Sequence, residues 1–137
     1  MKRIMILLLL FMGAGQLYAQ VREISTNEFF YNLLPRMTKP IVLDFWAEWC
    51  RPCHRYTPIY LSVARIYEKT ADFYRVNIDN NEEWINQWQI ESIPTTIVVY
   101  NKSCAYIRKE GILDNDKLCN IINDAVKKFK FDDEPYF

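Results

Sequence analysis

Apolar and polar positions along the chain alternate between a period near two residues and a period near 3.6, and the switches mark the elements. Val21 to Ser25 reads as a short strand or lead-in, and Ser25-Thr26-Asn27-Glu28 fits a capping box, with Ser at the N-cap and Glu three residues on. Phe29, Phe30, Leu33 and Leu34 then follow at helical spacing, ended at Pro35 or shortly after. Ile41-Val42-Leu43-Asp44-Phe45 is almost continuously apolar, the pattern of a central strand buried on both faces. Tyr56, Ile59, Tyr60, Val63, Ile66 and Tyr67 recur as the apolar face of a helix, and Pro58 inside it predicts a kink. Ala71 to Ile78 alternates as a strand, Glu82 to Trp88 reads as a short aromatic helix, and Thr96 to Tyr100 is a β-branched strand. Asn101-Lys102-Ser103 suits a hairpin turn into a strand from Cys104 to Lys109. Gly111 breaks the chain, and Asp114 or Asn115 caps a last helix that buries Leu118, Ile121, Ile122 and Val126. The order βαβαβαββα predicts an α/β domain, a mixed sheet with helices on both faces.

The pattern also isolates its own anomaly. Asp44 is the one polar residue inside the apolar run, and that run leads into Trp46-Ala47-Glu48-Trp49-Cys50-Arg51-Pro52-Cys53-His54. Two cysteines two residues apart, after a strand and opening a helix, are placed where unpaired N–H groups and the positive end of the helix dipole favour a thiolate. The thiolate is the nucleophile of disulfide exchange, so a redox role is the first candidate. Cys50 to His54 also spells the attachment signature of a c-type haem, with His54 as one axial ligand and Met37 as the second. A zinc site would need a second cysteine pair at ligand spacing, which the chain lacks. A redox-inert binding module is the third class.

Composition narrows the partners. Lys+Arg and Asp+Glu both number 17, so no basic excess invites nucleic acid, and three glycines are too few for a Gly-rich phosphate loop. Residues 1–19 have the layout of a cleaved secretory signal: Lys2 and Arg3, an apolar stretch from Ile4 to Met12, then Leu17-Tyr18-Ala19 before Gln20. The apolar stretch is far short of the roughly 20 residues that span a bilayer. A domain over residues 20–130, an acidic tail over 131–137 and a periplasmic or secreted location are therefore expected. In that oxidising setting a cysteine pair can rest as a disulfide.

Taken together, these motifs resemble the thioredoxin family over nearly all of the chain after the leader. Asp44-Phe45-Trp46-Ala47-Glu48-Trp49-Cys50 is similar to the segment before the family's redox turn, and Pro52-Cys53 continues its Cys-Gly-Pro-Cys with Arg51 in place of glycine. Pro58 matches the proline of the active-site helix, and Arg75-Val76-Asn77-Ile78-Asp79 its Lys-x-Asn-x-Asp strand with Arg for Lys. Ile93-Pro94-Thr95 resembles its Ile-Pro-Thr, and Gly111 its glycine before the last helix. The resemblance implies a thioredoxin fold with Cys50 as the exposed attacking cysteine, Cys53 as the resolving one and Asp44 as a buried proton relay of raised pKa. It further implies that Pro94 is cis and that Ile93, Pro94, Thr95, Pro52 and Trp49 bind substrate. Trp46 flanks the site or is core. Arg51, His54 and Arg75 are the departures expected to tune the pair. Cys104 and Cys119 have no counterpart, and whether they pair stays open. The implied activity is protein-disulfide reduction by an exported monomer without metal or cofactor, acting on disulfide-containing proteins and recharged by a membrane electron donor. An oxidase of the same fold is the alternative.

Overall fold

The computed structural model describes residues 21–132. The expected signal segment, residues 1–19, and the tail beyond Asp132 lie outside the described residues. Strand β1 (Arg22–Glu23) is followed by a one-turn helix α1 (Thr26–Glu28), whose N-cap Ser25 accepts from Glu28 N–H, one half of the expected capping box, while the Glu28 carboxylate pairs with Arg22 at 2.6 Å. The chain then widens to a π-helical turn (Phe29–Leu33) and tightens to a 3₁₀ turn (Leu34–Arg36) that contains Pro35. Strand β2 (Ile41–Trp46), helix α2 (Arg51–Tyr67) and strand β3 (Asp72–Asn77) come next. Helix α3 (Glu82–Trp88), strands β4 (Thr95–Val99) and β5 (Tyr106–Glu110) and helix α4 (Asn115–Asp132) complete the order. The fold class is as expected, and the ends of several elements differ from expectation by a residue or two. Cys104 falls in the turn before β5, at positive φ. Trp46 extends β2, and α4 runs through Asp132.

The five strands lie in the order β1-β3-β2-β4-β5. The pairs β1·β3 and β3·β2 are parallel, while β2·β4 and β4·β5 are antiparallel. Because successive strand residues point to opposite faces, β2 feeds two cores. Ile41, Leu43 and Phe45 join Phe29, Leu34, Trp84 and Trp88 on the side of α1 and α3. Val42 joins Tyr56, Tyr60, Val63, Leu118 and Ile122 on the side of α2 and α4. The first core is strongly aromatic: Phe29, Phe45 and Trp88 all lie within 6.0 Å of Trp84, ring centre to ring centre. Tyr60 is wholly buried, and its hydroxyl faces the carbonyls of Val42 at 3.0 Å and Tyr74 at 2.7 Å. One expected core residue is not core. Ile66 is 71% exposed, because it sits on the flank of the buried stripe, seven residues beyond the half-buried Ile59.

Candidate active site

Strand β2 delivers the chain to a tight turn, closed by Cys50 N–H on Ala47 O at 3.2 Å. Cys50 is the N-cap of α2, and its Sγ accepts from Cys53 N–H at 3.2 Å, so the sulfur sits among the free donors of the helix start. Arg51 and Pro52 form the first turn, where a proline loses no hydrogen bond. Cys50 and Cys53 are joined as a disulfide, with Cα atoms 5.3 Å apart. Cys50 is not exposed as expected: it is 4% accessible against 1% for Cys53. Ala47, Ile78 and Ile93 pack against the pair, and Cys50 as a residue keeps only slightly more exposed surface than Cys53.

Facing the sulfurs is the loop before β4. The Ile93–Pro94 peptide bond is cis, as the resemblance implied. Cys50 Sγ lies 3.8 Å from Ile93 O. Thr95 Oγ1 donates to Ser92 O at 2.6 Å, and Gly111 N–H donates to Pro94 O at 2.8 Å. The first bond tightens this loop on itself, and the second fixes it to the end of β5. Ile93 is half-buried, while Pro94 and Thr95 are buried. Trp49 stands 66% exposed beside the disulfide, its indole N–H held by both carboxylate oxygens of Asp79 at 3.1 and 3.2 Å. Arg51 and His54 are exposed, and the His54 ring is drawn back onto Glu48 O at 2.6 Å. Cys104 and Cys119 are free thiols and pack against different cores, one on each face of the sheet.

Below the pair, the register of the sheet sets up a polar row. Asp44 is opposite Arg75 on β3 and Thr96 on β4, all on the α2 face. Arg75 Nε donates to Asp44 Oδ2 at 3.1 Å, and its Nη2 donates to Thr57 Oγ1 at 3.0 Å. Thr57 Oγ1 in turn donates to Cys53 O at 2.9 Å, which ties the row to the helix bearing the cysteines. Tyr56 OH and Thr96 Oγ1 share a hydrogen bond of 2.8 Å. Asp44 is 1% exposed, and its Oδ1 has no partner among the described residues. Burial raises the Asp44 carboxyl from 3.8 to about 6, against the opposing pull of the Arg75 charge and hydrogen bond. Such a group is ionised near neutral pH and still basic enough to take a proton. Arg75 also lies over the Trp46 ring, 4.0 Å from guanidinium carbon to ring centre. Trp46 is therefore neither core nor free rim but the platform under Arg75. Sequence reasoning missed Thr57, Thr96 and the part played by Asp79; their roles follow from strand register and helix placement.

The reversible chemistry open to this pair is two-electron exchange with another dithiol or disulfide, which makes the protein a thiol–disulfide oxidoreductase. The family model described as Thioredoxin matches residues 20–124. The chain belongs to the thioredoxin family. It is 31% identical over 101 residues to a thioredoxin of Rickettsia bellii, covering 74% of this chain and 95% of that one. A Haemophilus influenzae thioredoxin is 32% identical over 87 residues, 64% of this chain and 80% of the relative. Among solved structures, the Malassezia sympodialis thioredoxin superposes with a TM-score of 0.67 at 26% identity, covering 78% of this chain and 91% of that one. Chloroplastic thioredoxin z shares the fold, with a TM-score of 0.69 at 23% identity over 77% of this chain and 94% of that one.

Proposed function

We propose that the protein is an exported reductase of protein disulfides. The observation that carries the reading is the Cys50–Cys53 pair at the start of α2, opposite the Ile93–Pro94 loop and above a buried carboxyl of raised pKa. In the reduced protein, the Cys50 thiolate attacks one sulfur of a substrate disulfide. A Cys50–substrate disulfide forms, and the other substrate sulfur leaves as a thiolate that takes a proton from solvent. Asp44 accepts the proton of the Cys53 thiol, and the resulting thiolate attacks Cys50 Sγ. The mixed disulfide breaks, the second substrate sulfur departs as a thiolate that takes up a proton from solvent while Asp44 gives its proton back to solvent, and the Cys50–Cys53 disulfide is left. Two electrons have passed from the dithiol to the substrate. Trp49, Pro52 and the Ile93-Pro94-Thr95 segment form the rim against which an extended substrate segment docks. Residues 1–19, with their signal-like layout, support export, and a membrane donor of electrons would regenerate the dithiol outside the cytosolic reducing pool.

The seven residues of α3 leave little space between β3 and the cis-proline loop for the helical insertion of a strong oxidase, which favours reduction. The c-type haem reading loses its second ligand, since Met37 is 5% exposed inside the aromatic core. Insulin reduction with a chemical reductant present tests the proposal. The wild type is expected to accelerate precipitation of the insulin chains and Cys50→Ser to abolish the effect. Unimpaired turnover by Cys50→Ser would overturn it.

A further inference from the structure

The polar row beneath the disulfide continues to the edge of the sheet. Glu23 on β1 is in register with Arg75, which is in register with Asp44, so the three carry alternating charge across adjacent strands. Glu23 makes its hydrogen bonds elsewhere. Its Oε1 accepts from Trp46 Nε1 at 2.6 Å, and its Oε2 accepts from Asn77 N–H at 3.1 Å. One carboxylate thus joins a short edge strand to the ends of both strands that bear the site. It also pins the indole whose face carries the Arg75 guanidinium. Arg75, held on that platform, is aimed with one N–H at Asp44 and another at Thr57.

We propose that Glu23 is a positioning residue for the exchange reaction, acting through Trp46 to hold Arg75 on Asp44 and so to set how readily Asp44 takes the Cys53 proton. The role assigned to Asp44 here rests on the reading under Proposed function, whereas the Glu23–Trp46–Arg75 linkage stands on geometry alone. A planar side chain bonded at its N–H cannot swing away from its cation, and that cation then keeps a fixed distance to the carboxylate. Released from Glu23, the indole turns on its own side-chain bonds, and Arg75, whose side chain keeps 14% of its surface open to solvent, can move toward water. The other groups facing Asp44 are accounted for. From α2 come Tyr56 and Tyr60, both kept neutral by burial. From β4 comes the uncharged Thr96, and beyond it Lys109 on β5 is exposed.

Glu23 has two effects of opposite sign on Asp44, and two substitutions separate them. Its negative charge disfavours the Asp44 carboxylate, while its grip on Trp46 favours it through Arg75. Glu23→Gln and Glu23→Ala remove the same charge, but the glutamine keeps one acceptor oxygen for Trp46 Nε1, giving up the bond from Asn77 N–H. The titration of the Asp44 carboxyl carbon by NMR in the oxidised, full-length protein reads both. Asp44 is expected to titrate higher in Glu23→Ala than in Glu23→Gln by about half a pH unit, the size of one exposed cation–π contact. The Arg75 Nε–H resonance is expected to exchange faster in the alanine variant only. Identical Asp44 titrations in the two variants would overturn the proposal, whatever their thermal stabilities. Because this readout needs no turnover, a protein that failed to reduce insulin would sink the reductase reading and leave the linkage testable.

Discussion

Replacing Asp44 with Asn should make the protein more stable at neutral pH, although it removes half of an ion pair. Burial raises the folded-state pKa of Asp44 from 3.8 to about 6. The folded protein therefore holds this proton more readily than the unfolded chain. Stability from the protonated form is complete below about 3.8 and is lost as pH rises through about 6. At about 1.4 kcal/mol per pH unit, the loss approaches 3 kcal/mol above pH 7. The Arg75 attraction is already inside that figure, since it opposes the effect of burial. An asparagine in this place would carry no charge to desolvate, and its amide oxygen would still accept from Arg75 Nε. Urea unfolding of the oxidised protein across pH 4 to 8 is the assay. The difference between Asp44→Asn and wild type should be near zero at the acid end and grow to about 1–3 kcal/mol in favour of the variant at pH 8. The same variant should release substrate from the mixed disulfide more slowly, because Cys53 has lost its proton acceptor. A variant less stable than wild type at pH 8, or a difference that ignores pH, would refute the burial argument.

The remaining expectations are quick to check. Gly111 sits at φ +81, and among the described residues beyond its chain neighbours none comes within 4 Å of where a Cβ would stand, so Gly111→Ala should cost only backbone strain, about 1 kcal/mol in chemical unfolding. Among the described residues Cys104 and Cys119 are free. Thiol titration of the denatured oxidised protein should therefore find two reactive groups, rising to four after reduction, in line with the four cysteines of the chain; none before reduction would mean that Cys104 and Cys119 are linked.

Much of this architecture was legible because period and punctuation agree. The nearly continuous apolar run from Ile41 to Phe45 marked β2 as a central strand buried on both faces, and Asp44, out of character in that run, marked the buried carboxyl. The two cysteines with Pro52 and the proline of Ile93-Pro94-Thr95 were readable as motifs. What eluded reading depends on register. Nothing in Val21 to Ser25 says that Glu23 lands beside Arg75, because parallel pairing joins residues 52 positions apart that no local pattern links. Thr57 is an ordinary helix position until Arg75 is found beneath it. The exposure of Ile66 was missed because a stripe at helical spacing has flanks, and only the packing of neighbours decides which flank is covered. The π and 3₁₀ turns after α1 likewise have no signature beyond Pro35, which set the end of the helical segment but not its pitch.

The claim that this pair donates electrons is tested most directly by its reduction potential. Equilibrating the protein with a series of glutathione or dithiothreitol buffers and reading the fraction of reduced Cys50–Cys53 pair provides it. A reductase should lie near the roughly −270 mV of thioredoxin, raised somewhat if Arg51 and the His54 end of the turn favour the Cys50 thiolate. A value near −120 mV would mean that the pair accepts electrons from its substrates, and the direction proposed here would be wrong.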